Sequence, residues 1–137
     1  MVVAVGAKTD VGLKRSHNED NLCVDPDLGL YIVCDGMGGS NAGEVASRLA
    51  VETIQKHFRE ALDNADLPLI GDYDRQFSAK TNRLASAIRL ANQVIRSGAK
   101  DQTGQEGMGT TVVSVAFNGP VLSIAHVGDS RIYLVRG

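Results

Sequence analysis

The stretch that most constrains this chain is Leu30-Tyr31-Ile32-Val33-Cys34-Asp35-Gly36-Met37-Gly38-Gly39. Five consecutive strand-favouring residues run straight into an acid, and three of the next four residues are glycine. A short apolar run bounded by glycines reads as a buried strand. Such a strand fixes the carboxylate at its end to the rim of a sheet. The glycines beside it let backbone carbonyls and ligands approach closely. That is how a sheet presents a metal ligand. Asp-Gly is also a common turn dipeptide, so a plain turn acid is the other reading of Asp35.

The rest of the chain reads strand, strand, strand, helix, helix, strand, strand, strand. Residues 2–7 form a short apolar run. Leu22–Val24 and Leu30–Cys34 flank Asp25-Pro26-Asp27-Leu28-Gly29, which is a turn by composition, so the two runs predict a hairpin. Asn41 followed by Glu44 resembles a capping box and predicts a helix start. Val45, Leu49, Ile54, Phe58 and Leu62 then recur at helical spacing. Residues 63–72 contain Pro68 and Gly71 and read as a loop. A second helix carries Phe77, Leu84, Ile88, Ala91 and Ile95 and is expected to stop at Gly98. Residues 99–109 hold three glycines and are given no element. Thr111–Phe117, Val121–Val127 and Arg131–Val135 predict a three-stranded meander. Strands grouped at both ends around grouped helices indicate α+β rather than alternating βαβ.

At 137 residues the chain is long enough for one domain with a real core. Its net charge of -2 gives no basic face for nucleic acid, and it contains no apolar run long enough to span a membrane. The N-terminus lacks the basic and hydrophobic regions of a signal peptide. Cys23 and Cys34 sit in strand-like runs and are expected to be buried, reduced thiols of a cytoplasmic protein.

Three acidic clusters fall at turn positions: residues 15–21, residues 35–39 and residues 128–131. If the first two strands pair, Glu19 and Asp20 come beside Asp35. Carboxylates at one edge repel unless a cation lies between them. Oxygen donors without a cysteine–histidine pattern suit Mg²⁺ or Mn²⁺ rather than zinc. Arg15 has the chemistry to grip an anionic group bidentately. Each residue also has a plain reading: Glu19 and Asp20 as a solvated pair, Arg15 as a surface cation, Asp129 as a turn acid. His17, His57 and His126 show no partner pattern.

Together the motifs resemble those of the bacterial metal-dependent serine/threonine protein phosphatases, the type-2C class. The matching pieces are Thr9-Asp10-Val11-Gly12 to Arg15, Asn18-Glu19-Asp20, Asp35-Gly36-Met37-Gly38-Gly39 with Gly43-Glu44, Gly109-Thr110-Thr111, and Val127-Gly128-Asp129-Ser130-Arg131. The resemblance implies an αββα fold, in which an antiparallel β-sandwich is flanked by helices. It implies two Mg²⁺ or Mn²⁺ ions, with a third weaker site. Asp35 would bridge the pair, the Gly36 carbonyl and Glu19 would help hold one ion, and Asp129 would serve the third. Asp20 would support water on the metal, and Arg15 would bind the substrate phosphate. The implied reaction is hydrolysis of phosphoserine and phosphothreonine by metal-bound water. The implied partners are phosphoproteins, including a cognate serine/threonine kinase and its substrates.

The chain also departs from the family pattern. Met37 stands where eukaryotic members often carry histidine, and Ser40 stands where many bacterial members do. The family domain is longer, and its second half supplies two further aspartates. Residues 1–137 are therefore expected to be the N-terminal portion of such a domain, with the metal site half built and apolar faces left open. The alternative is an inactive pseudophosphatase that binds phosphoproteins or another partner.

Overall fold

The computed structural model describes residues 1–39, 41–101 and 106–137. Strands β1 (Asp20–Asp25), β2 (Leu30–Met37), β3 (Gly109–Thr110), β4 (Val112–Asn118) and β5 (Val121–Val127) form one antiparallel sheet. Helices α1 (Ala42–Asp63) and α2 (Ala79–Asp101) separate the first two strands from the rest. The strand order is β1-β2-β4-β5, and β3 pairs with the end of β2. The predicted hairpin forms, with Asp20 opposite Asp35 and Asp25 opposite Leu30. Gly29, at φ 63°, closes its turn, and its N–H donates to the Pro26 carbonyl at 3.1 Å.

Both helices pack on one face of the sheet. The alternation of β2 directs Leu30, Ile32, Cys34 and Gly36 inward, where they meet Ala46, Ala50, Ile54 and Phe58 of α1 in one core. Helix α2 adds Leu84, Ala87, Ala91 and Ile95. The α+β class is as expected. The described residues supply one sheet and one helix layer, two of the four layers in the αββα arrangement. The opposite face of the sheet is apolar and partly open, with Val24, Val33 and Ile124 exposed.

Several sequence expectations give way to tertiary context. Residues 2–7 and 131–135 pair with no strand, and Val2 and Val135 remain 98% and 89% exposed. Their apolar character has no sheet partner among the described residues. The capping box does not form: Asn41 takes a left-handed conformation (φ 67°) without a side-chain cap, and the Ala42 N–H bonds the Gly39 carbonyl instead. Gly98 does not end α2, because the helix continues to Asp101. The lack of a side chain there leaves room for Met108, whose Cε would lie 3.1 Å from an added Cβ. Phe77 precedes α2 and is exposed, as is Leu62 of α1. Ser40 and residues 102–105 lie outside the described residues. Cys23 and Cys34 are buried and free, as expected.

A candidate metal rim at the end of the hairpin

The register of the hairpin brings the first two acidic clusters together. Asp20 begins β1 directly opposite Asp35 near the end of β2, and Glu19 precedes Asp20. The Glu19 carbonyl accepts two hydrogen bonds, from the Gly36 N–H at 3.1 Å and from the Ser47 hydroxyl at 2.6 Å. Ser47 is fully buried on α1 and also receives the Asn21 amide at 2.8 Å. The chain entering β1 is thus tied both to β2 and to the helix.

Glycine is required at two of these positions. A Cβ on Gly36 would overlap the Gly43 carbonyl, and a Cβ on Gly43 would overlap Glu19 Oε2. Two backbones and one carboxylate share a space that no other residue type leaves open. Gly43 lies in the first turn of α1, where free backbone N–H groups favour negative charge. Glu19 Oε2 is buried there without a hydrogen-bond partner among the described residues. Its other oxygen, Oε1, lies 3.9 Å from His17 Nε2.

The electrostatics are those of acids held close together. The pKa of Asp20 is pushed above the ordinary aspartate value, first by partial burial, then by a hydrogen bond and charge from Asp35, with Glu19 adding to the repulsion. The charge of Arg15 acts in the opposite direction, and Arg15 itself is exposed. The donor set is all oxygen: three carboxylates and the Gly36 carbonyl. Its buried, unpartnered oxygen and mutual repulsion fit a hard divalent cation. Among the described residues no three His, Cys, Asp or Glu side chains are grouped closely enough to hold a metal by themselves.

Asp129 lies apart from this group, exposed in the turn after β5. A link that the sequence did not reveal joins its turn to Asp35. Thr111 Oγ1 accepts the Asp35 N–H at 3.1 Å and lies 2.6 Å from Ser130 Oγ. Thr111, Ser47 and Asn21 are small polar residues with no local pattern of their own, and only the close approaches of the folded chain give them roles. The three histidines stand apart from these contacts except His17: His126 is exposed, and His57 is buried 3.3 Å from Ser86 Oγ.

The rim of the sheet thus carries acids and closely packed glycines, with both helices behind the sheet. The chain belongs to the protein phosphatase 2C family, whose model matches residues 14–137. It is 35% identical over 136 residues to the serine/threonine protein phosphatase PstP of Mycobacterium tuberculosis, covering 99% of this chain and 23% of that protein. It is also 35% identical over 132 residues to the serine/threonine phosphatase stp of Listeria monocytogenes, covering 94% of this chain and 48% of the relative. The structure of the PstP catalytic domain in complex with two manganese ions aligns with a TM-score of 0.69 and 35% identity, over 90% of this chain and 47% of that one. The chain thus spans about half the length of the Listeria relative and about a quarter of PstP.

Proposed function

We propose that residues 1–137 are the N-terminal portion of a type-2C phosphatase domain, and that the whole domain hydrolyses phosphoserine and phosphothreonine in proteins with two Mg²⁺ or Mn²⁺ ions. The observation that carries this reading is the pairing of Asp20 with Asp35 at one rim, with Oε2 of the adjoining Glu19 buried and unpartnered among the described residues. In this reading Asp35, Glu19 and the Gly36 carbonyl hold metal, and Asp129 serves a third, weaker site. Bound ions would supply an activated water and neutralise charge on the phosphoryl oxygens. Asp20, opposite Asp35 in the hairpin register, would support that water by hydrogen bonding. Arg15, which is exposed and whose charge acts on Asp20, binds and orients the substrate phosphate in this reading. Met37 cannot donate a proton, so protonation of the leaving group falls to water. The proposed partners are phosphoproteins, among them a serine/threonine kinase and its substrates. A cytoplasmic setting is proposed with them, and no described helix is long and apolar enough to cross a membrane.

The test is Mn²⁺-dependent phosphate release from p-nitrophenyl phosphate and a phosphothreonine peptide. In a protein spanning the full family domain, Asp35→Asn is expected to lower turnover by about 100-fold or more. The 137-residue chain alone is expected to turn over weakly. Full-domain turnover that ignores both Mn²⁺ and Asp35→Asn would sink the proposal. Absence of turnover with retained phosphopeptide binding would point instead to a pseudophosphatase.

A further inference from the structure

We propose that Thr111 is a positioning residue that couples Asp35 at the strand end to Asp129 in the turn. The inference rests on the metal-binding reading of those two acids. Thr111 is buried and holds Asp35 at both of its backbone groups. Its N–H donates to the Asp35 carbonyl at 2.9 Å, and its Oγ1 accepts the Asp35 N–H at 3.1 Å. The same Oγ1 meets Ser130 Oγ at 2.6 Å. On the other side of the side chain, the methyl group packs against Gly128. A Cβ at Gly128 would come within 2.8 Å of Thr111 Cγ2, and Gly128 sits at φ 96°.

Both neighbours of Asp129 therefore rest on one side chain, Gly128 on its methyl and Ser130 on its hydroxyl. Asp129 itself is exposed. Its place relative to Asp35 is set through Thr111, which binds the Asp35 backbone directly. Only threonine offers both surfaces: serine keeps the hydroxyl, and valine keeps the shape. A hydroxyl that orients a ligand-bearing segment acts as a metal's outer partners do, and loss of such partners costs about 10-fold to 100-fold in affinity.

The experiment is a Mg²⁺ titration of the protein at its full natural length, followed by the amide NMR shifts of residues 35 and 129. Ser130→Ala leaves the Asp35 N–H its acceptor. It is expected to raise the Mg²⁺ midpoint at residue 129 about tenfold while residue 35 stays within about twofold. Thr111→Val is expected to raise both midpoints, and Thr111→Ser, which keeps the hydroxyl but loses the methyl on Gly128, to leave residue 35 within about twofold while raising residue 129. If Thr111→Val does not fold, Ser130→Ala, at a half-buried position, decides alone. A midpoint at residue 129 within about twofold of the original in Ser130→Ala overturns the coupling. Asp35→Asn separates the two ideas. If it leaves the Mg²⁺ response at residue 35 intact, the metal reading falls and the coupling with it. If it abolishes that response while Ser130→Ala changes nothing, the coupling alone falls.

Discussion

Asp20 and Asp25 stand at opposite ends of β1, and the chain treats their charges in opposite ways. Asp25 is 7% exposed. It accepts the Gln55 amide at 2.8 Å, the Arg59 guanidinium at 2.7 Å and the Leu28 N–H at 3.1 Å. Burial works against its charged form, but these hydrogen bonds and the Arg59 charge together outweigh it and hold the pKa below the usual aspartate value. Asp20 faces Asp35 and Glu19, and its pKa is pushed up. A carboxylate satisfied by its own chain fastens the hairpin to α1. A carboxylate left among others, with the Arg15 charge as its counterweight, is where a cation would compensate in the proposed reading.

The largest effect is expected where the rim is most crowded. Gly43→Ala drives a methyl group into Glu19 Oε2 and should destabilise the fold by about 3 kcal/mol, read as a lowered urea midpoint. A midpoint unchanged by this substitution would mean that the rim tolerates expansion. Next comes the same replacement at each end of β1. Asp25→Asn removes the charge that Arg59 and Gln55 hold and should cost about 1.5 kcal/mol. Asp20→Asn relieves repulsion and should stabilise the metal-free chain by about 0.5 kcal/mol. Opposite signs for one chemical change sharpen the comparison, and equal signs break it.

The subtlest expectation is in the acid limb. The folded pKa of Asp25 lies below its unfolded value, so its contribution is complete above the ordinary aspartate pKa. It is lost as pH falls through the lower folded value. Urea midpoints from about pH 6 to about pH 2 should therefore fall less steeply in Asp25→Asn. A slope identical to that of the unmodified chain would show that Asp25 is not held in its charged form.

The hairpin and its acidic rim were legible because both rest on local order: alternation, a turn composition, and an acid at a strand end. Once the two strands pair, Asp20 must oppose Asp35. The elements misread from sequence depend on distant partners. Residues 131–135 have the composition of a strand but no strand to pair with among the described residues, and Gly98 looks like a stop until Met108 is placed beside it. β3 is only two residues long, too short to leave a pattern. Thr111 falls in the Gly109-Thr110-Thr111 motif, but its role, like that of Ser47, was unreadable, since hydroxyls acquire roles from whatever lies across from them. The site roles of Arg15, Glu19, Gly36 and Asp129 came from resemblance and remain proposals, whereas the approach of Asp20 to Asp35 followed from register.

The contact of Gly36 with Gly43 makes assembly of the rim and docking of α1 a single event. Glu19 cannot reach its place until the first turn of the helix lies on β2, and an unfolded chain scatters these oxygens. Any ion that requires them together binds only the native state, and mass action returns that binding as resistance to unfolding. If the proposed ions bind there, the lifetime of the chain against proteolysis would become a function of free divalent metal. Ion availability would then govern how much of the protein persists.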